Sequence, residues 1–156
     1  MTSGKSNVSP VLDTDRMSMT CVMNRINSPA DPNTAKQSVG DLHDGVYITR
    51  AADLSNPSGA LKVMFAGYRP SNTFIKVLYR IRPTGSTDSI ETFGFEFFPS
   101  NSTSIPSTTE NFVFKDYEYE VSGLSFDQYQ IKIVFVSPNQ SSAPIIEDFR
   151  AIALAV

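Results

Sequence analysis

The sequence predicts an all-β protein: an antiparallel β-sandwich of the jelly-roll or immunoglobulin-like kind, preceded by an extended N-terminal arm. Three observations predict it. Apolar and polar residues alternate with period two in about eight short runs. Pro, Gly and Asn stand between the runs, where turns need them. No stretch repeats its apolar residues at helical spacing over the roughly 10 to 15 residues that a nucleotide-binding α/β fold requires.

Composition changes near residue 45, so residues 1–45 read as the arm and residues 46–156 as the sandwich domain. In the arm, Pro10, Pro29 and Pro32 punctuate a stretch rich in Ser, Thr, Asn and Asp. Its one strand runs from Met17 to Met23, with Met17, Met19, Cys21 and Met23 on one face and Ser18 and Thr20 on the other. An arm with so little core of its own loses conformational entropy when it orders. It is therefore expected to be disordered or laid across another surface. Two readings of its strand stay open. Either it adds to the edge of a partner sheet, where backbone bonds give affinity and adaptable Met side chains fill pockets, or it pairs with its own domain.

Within the domain, Val46 to Thr49 is a short strand. Ala60 to Ala66 places Leu61, Val63 and Phe65 on one face, and Gly67 with Arg69-Pro70 ends it. Thr73 to Arg82 alternates Ile75, Val77, Tyr79 and Ile81 with Lys76, Leu78, Arg80 and Arg82, and Pro83-Thr84-Gly85 supplies the turn. Ile90 to Phe98 aligns Phe93, Phe95 and Phe97 opposite Thr92, Gly94 and Glu96. Phe112 to Val121 sets Tyr117, Tyr119 and Val121 against Asp116, Glu118 and Glu120. After Gly123-Leu124, Tyr129 to Val136 alternates Tyr129, Ile131, Ile133 and Phe135 with Gln130 and Lys132. The last run, Ile145 to Ala155, admits a short Ala-rich helix, but Pro144 at its entry and the β-branched pair Ile145-Ile146 favour a strand. Leu124 stands five residues before Tyr129. That spacing fits either a tyrosine corner, with the hydroxyl docked on upstream backbone, or one more inward-facing aromatic.

Lys and Arg total 13 and Asp and Glu total 16, a net charge of −3 in a chain 40% hydrophobic and 19% charged. Nucleic-acid binding by a basic patch is therefore not expected, nor is wholesale disorder. No apolar run approaches the ~18 residues of a membrane span, and the polar start of the chain shows no signal peptide. Cys21 is the only cysteine, which excludes an internal disulfide and a CxxC site.

Few residues suggest chemistry. His43, in Asp41-Leu42-His43-Asp44-Gly45, has the flanking carboxylates of a metal ligand or general base, but a solvated turn explains the same letters. Asp13 and Asp15 have the spacing of a Ca²⁺ loop without its glycine or closing glutamate. Asp116, Glu118 and Glu120 share a strand face at roughly 6.5 to 7 Å spacing, a separation that solvated strands commonly present. No nucleophile elbow, P-loop or dinucleotide turn occurs. The expectation is a non-enzymatic protein with no cofactor and no metal. If it bound a sugar, stacking would fall to Tyr68, Tyr117 or Tyr119.

Several blocks resemble a known family. Ser9-Pro10-Val11-Leu12-Asp13-Thr14-Asp15-Arg16-Met17-Ser18 and Asn24-Arg25-Ile26-Asn27 are similar to a linker in large structural proteins of contractile-tailed phages that infect marine cyanobacteria. Ala60-Leu61-Lys62-Val63, Ile75-Lys76-Val77-Leu78-Tyr79-Arg80 and Tyr129-Gln130-Ile131-Lys132-Ile133-Val134-Phe135 resemble the sandwich module that follows it. Asp148-Phe149-Arg150-Ala151-Ile152-Ala153-Leu154-Ala155 resembles the module's end. Members of that family are much longer. The resemblance implies a baseplate or tail component of the virion, assembled in the host cytoplasm, oligomeric in the assembly and partnered by other virion structural proteins. Its alternative is a carbohydrate-binding adhesion module of a tail fibre.

Overall fold

The computed structural model describes residues 12–13, 18–19, 26–27, 35–37, 45–99, 113–138 and 142–155. The described residues are mostly antiparallel β-sheet, the all-β class that the alternation predicts. β1 (Leu12–Asp13) and β2 (Ser18–Met19) pair with each other, Leu12 opposite Met19. The remaining strands form one six-stranded sheet. They are β3 (Val46–Ile48), β4 (Ala52–Tyr68), β5 (Phe74–Pro83), β6 (Glu96–Phe97), β7 (Lys115–Val136) and β8 (Ile145–Leu154).

β7 organises the sheet. The runs 112–121 and 129–136, expected as separate strands, are one strand of 22 residues. Kept straight, it would reach about 70 Å, whereas a compact chain of this length has a radius of gyration near 15 Å. It must therefore bend. Gly123 takes φ 75°, which a side chain would resist, and the register against β4 shifts between Ser58 and Ala60. The break expected at Gly123-Leu124 is thus a bulge within a continuous strand. Phe126 sits beside it, fully buried, paired with Ser58 of β4 on one edge and Pro83 of β5 on the other.

On either side of Phe126 the strand changes neighbours. Its first half pairs with β4, Leu61 opposite Val121 and Phe65 opposite Tyr117, and β4 carries β8 on its far edge. Its second half lies between β5, with Val77 opposite Ile133, and β3, with Tyr47 opposite Ile133. One hydrophobic cluster joins side chains of both halves, among them Leu61, Val63 and Phe65 with Ile75, Val77, Ile131 and Ile133. Ring contacts cross between the halves as well. Phe98, just after β6, lies 5.8 Å from Tyr119 of β7, and Tyr47 of β3 lies 6.0 Å from Phe149 of β8.

The inward faces of β4, β5 and β7 are those the alternation predicts, and 145–154 is a strand. In β8 the strict alternation breaks at Asp148, where φ is 53° and the register against β4 shifts, so Ile146 joins Phe149, Ala151 and Ala153 on the core side while Ile145 is exposed. Three further expectations change. β4 begins at Ala52, earlier than the apolar run that identified it, because its backbone continues to pair with β7 at Ala52 and Asp53. The strand expected over 90–98 shrinks to Glu96–Phe97. Ser89 caps a 3₁₀ turn at Ile90–Thr92 instead, its hydroxyl accepting from the Glu91 N–H at 3.4 Å and its carbonyl from the Thr92 hydroxyl at 2.8 Å. The Tyr129 hydroxyl donates to the Ala151 carbonyl of β8 at 3.4 Å, downstream in the chain, so it is not a tyrosine corner.

Two pieces of the expected arm lie on the sheet. Ile26 bridges Ser137 at the end of β7 with bonds of 3.0 and 2.8 Å. Asn27, at φ 56°, donates through Nδ2 to the carbonyls of Gly45 and Phe135. Residues 35–37 cover part of the sheet's outer face, as described next. Of the expected strand Met17 to Met23, only Ser18 and Met19 are described as strand, and Met17, Cys21 and Met23 lie outside the described residues.

Candidate functional site

The most unusual chemistry among the described residues lies on the outer face of β5 and the second half of β7. Alternation turns Leu78, Arg80, Gln130, Lys132, Val134 and Val136 to that face, away from the main core. Leu78 stands opposite Lys132 and Arg80 opposite Gln130, so the two cations are diagonal neighbours. Both are buried, Lys132 with no exposed surface. What covers them is Phe95, carried by the chain between the Ser89-capped turn and β6, and the segment Ala35–Gln37.

Phe95 is the hub. The Arg80 guanidinium carbon lies 4.6 Å and the Lys132 Nζ 5.2 Å from its ring centroid, so one π-face system serves two cations. Arg80 Nε donates to Gln130 Oε1 at 2.6 Å, and Gln130 in turn donates to the Thr49 carbonyl. Lys132 Nζ donates to the Gln37 carbonyl at 3.2 Å. Phe95 N–H donates to the Lys36 carbonyl at 3.1 Å, and Lys36 pairs with Glu96. Ala35 completes an apolar cluster with Leu78, Phe95, Val134 and Val136.

Burial disfavours both charges. Desolvation lowers the Arg80 pKa, with Glu91 partly opposing it, and brings the Lys132 ammonium down to about 8. A lysine poised there has the acidity of a nucleophile or base. It has, however, no exposed surface. Its bond to the Gln37 carbonyl holds the segment Ala35–Gln37 against the sheet.

The aromatic residues expected to stack on a sugar are not an exposed platform. Tyr117 is only 4% exposed, stacked 5.0 Å from Phe65 within the main core. Tyr119 packs against the same core, 6.0 Å from Phe65, and burial pushes its hydroxyl up to about 12. Burial also raises the Tyr117 pKa, against the opposing influence of the nearby Arg69 guanidinium. Tyr68 is half-buried and tilted against Phe114 at 6.2 Å. Tyr117 and Tyr119 sit on the inward face of the sheet, where the period-two pattern already placed them, whereas Tyr68 has the opposite parity on β4 to Leu61, Val63 and Phe65.

Asp116, Glu118 and Glu120 do share an exposed face of β7. Lys62 of β4 pairs with Glu118 at 2.7 Å and approaches Glu120 at 4.0 Å, and its pKa rises chiefly through the bond to Glu118. That is a cross-strand ion cluster on solvent, worth little in free energy. His43, Asp41, Asp44 and Asp15 lie outside the described residues, and Asp13 is described only as backbone of β1. Among the described residues no three His, Cys, Asp or Glu side chains gather as a metal site, and no helix is long and apolar enough to cross a membrane.

The cation pocket escaped the sequence reading because Arg80 and Lys132 occupy positions that a one-sided strand gives to solvent. A signal was present in the run Ile131-Lys132-Ile133-Val134-Phe135-Val136, which is nearly continuous in apolar residues. Such a run marks a strand covered on both faces. Comparison with protein-family models, curated proteins and solved structures finds no match to this chain.

Proposed function

We propose that the chain is a non-enzymatic structural protein of a virion, a baseplate or tail component that works through protein–protein assembly, and that its sheet is a sandwich of the jelly-roll or immunoglobulin-like kind. The resemblance of its strand blocks to phage structural modules motivates the reading. The observation that carries it is the edge strand β8. β8 ends the strand order of the sheet beyond β4, and its side chains Ile145, Ile152 and Leu154 are each 40% exposed. A long edge with apolar ends is a template for another chain. Its middle is guarded: Asp148 adopts φ 53° where the register against β4 shifts, and Glu147, Asp148 and Arg150 add charge. A guarded edge suits a subunit that must stay soluble until a shaped partner covers it.

The test is composition of particles. Virions of the encoding phage are purified, and the chain is sought by mass spectrometry in tail and baseplate fractions. Stoichiometric recovery there is the expected result, and its absence from intact particles overturns the reading. A second measurement targets the edge. Ile152→Arg with Leu154→Arg leaves the isolated fold intact, because both side chains face solvent, yet excludes the chain from particles.

A further inference from the structure

β8 has β4 as its strand neighbour, and among the described residues no strand pairs with its other edge. The register against β4 fixes which of its side chains share a face. Ile145 stands opposite Tyr68, Glu147 opposite Ala66, Arg150 opposite Met64 and Ile152 opposite Lys62. Those β4 positions alternate, so Ile145, Glu147, Arg150 and Ile152 form one row, on the face away from the core. All four are exposed. Glu147 and Arg150 are three residues apart, and on a regular strand they would point to opposite faces. The bulge at Asp148 absorbs the extra residue and makes them neighbours in the row.

In chain order the row is apolar, acidic, basic, apolar, and that order is complementary to its own reverse. A two-fold axis normal to the sheet and passing through the bulge sets one β8 antiparallel to another. Glu147 then meets Arg150 of the second copy, Ile145 meets Ile152, and Ile146 meets Ala151 on the core side. Other registers lose the match. An axis at Glu147 or at Arg150 sets like charges opposite each other, and an axis at Ala151 sets Arg150 against Ile152. Among the described residues neither Glu147 nor Arg150 has an ion-pair partner in its own subunit. The two exposed Asp148 carboxylates approach at the axis, one repulsion against two attractions, all screened by solvent.

We propose that the free edge of β8 is a docking site for β8 of a second copy, the two strands pairing antiparallel about a two-fold axis at Asp148. The proposal rests on the assembly reading above and deepens it by naming the partner and the register. Such an interface is isologous, the same patch serving on both subunits. Backbone bonds between the two edges give affinity, and the row of side chains chooses the partner. The same charges that guard the edge against an unmatched strand are satisfied by its own copy, which is how a charged edge is both soluble and specific. The balance between monomer and pair is set by concentration.

The experiment is sedimentation equilibrium of the full chain, from about 1 μM to several hundred micromolar. The native chain is expected to form a dimer whose share rises with concentration. Arg150→Glu and Glu147→Arg should each weaken it by about tenfold or more, because like charges then face each other across the axis. The chain carrying both substitutions should regain dimerisation to within about threefold. Mixing the two single variants should give a one-to-one heterodimer, since each supplies the charge that the other now needs. If circular dichroism shows that either reversal unfolds the chain, Ile145→Lys, which meets Ile152 across the axis, takes its place and should weaken the dimer by a similar factor. A native chain that stays monomeric throughout that range, a dimer indifferent to the reversals, or one that the double reversal leaves broken overturns the proposal. A native monomer recovered from virions sinks the pair and keeps the assembly reading; pairing that follows the reversals in a chain missing from virions does the opposite.

Discussion

The Lys132 ammonium lies 5.2 Å from the centroid of the Phe95 ring and has no exposed surface. The pair buries a charge on the covered face of the sheet, beside Arg80, and that charge has a pH signature. In the unfolded chain a lysine titrates near 10.4, whereas in the folded chain burial brings Lys132 down to about 8. Between those values the unfolded state holds a proton that the folded state has released. Stability therefore rises with pH from about 8 towards 10. Tyr79, Tyr117, Tyr119 and Tyr129 have raised pKa values, chiefly from burial. Their contribution is complete below pH 10 and is lost as pH climbs through their folded values, so it closes the window from above. Thermal melts of the native chain should gain several degrees between pH 7.5 and 9.5, equivalent to on the order of 2 kcal/mol. Lys132→Met should lose that rise, and an unchanged profile would reassign it to another group.

Gly67 is required by the ring opposite. A β-carbon built on Gly67 would lie 2.8 Å from Tyr117 Cε2, inside contact distance, and Tyr117 cannot retreat because it is stacked on Phe65. Gly67→Ala should cost about 1–3 kcal/mol by overpacking, measured by urea unfolding. Pairing it with Tyr117→Leu should recover part of the loss, and purely additive losses would show that the ring is not the obstacle.

Asn27 should matter more than its place in a polar stretch suggests. Its amide donates to the carbonyls of Gly45 and Phe135 while its backbone stays left-handed at φ 56°. Asn27→Ala loses those bonds and strains the backbone, at about 1–3 kcal/mol. Amide exchange of Phe135 and Ser137 should accelerate, because their acceptors are the Gly45 and Ile26 carbonyls. Exchange in β4 should be unaffected, and uniform acceleration throughout the sheet would mean global destabilisation only.

Tyr129→Phe tests the tie between β7 and β8. The hydroxyl bond to the Ala151 carbonyl is long, at 3.4 Å, so the loss should stay under about 1 kcal/mol. Faster amide exchange confined to the pairs of β8 with β4 near Ala151 is the expected trace.

Much of the sheet was legible from alternation alone. Leu61, Val63 and Phe65 on β4, Ile75 and Val77 on β5, and Tyr117 and Val121 on β7 all face the core where period two puts them. Strand ends were less legible. A strand can extend through Asn56-Pro57-Ser58 or across Gly123 when its neighbours supply backbone partners, and side-chain pattern does not record that. The candidate site was hidden for a related reason. Arg80 and Lys132 are polar letters on an alternating strand, and what buries them arrives from residues 35–37 and 95, far away in sequence.

The sequence by itself determined the all-β class, the inward faces of β4, β5 and β7 and the scarcity of groups for chemistry, because those follow from local alternation and composition. Tertiary structure alone decided that 115–136 is one bent strand shared by both halves of the sheet, that Tyr117 and Tyr119 pack into the core, that β8 switches faces at Asp148, and that Ala35–Gln37 and Phe95 cover two cations. Those outcomes depend on which distant segment covers which face. Burial of a face is a property of the partner laid upon it, and no period within the strand encodes that partner.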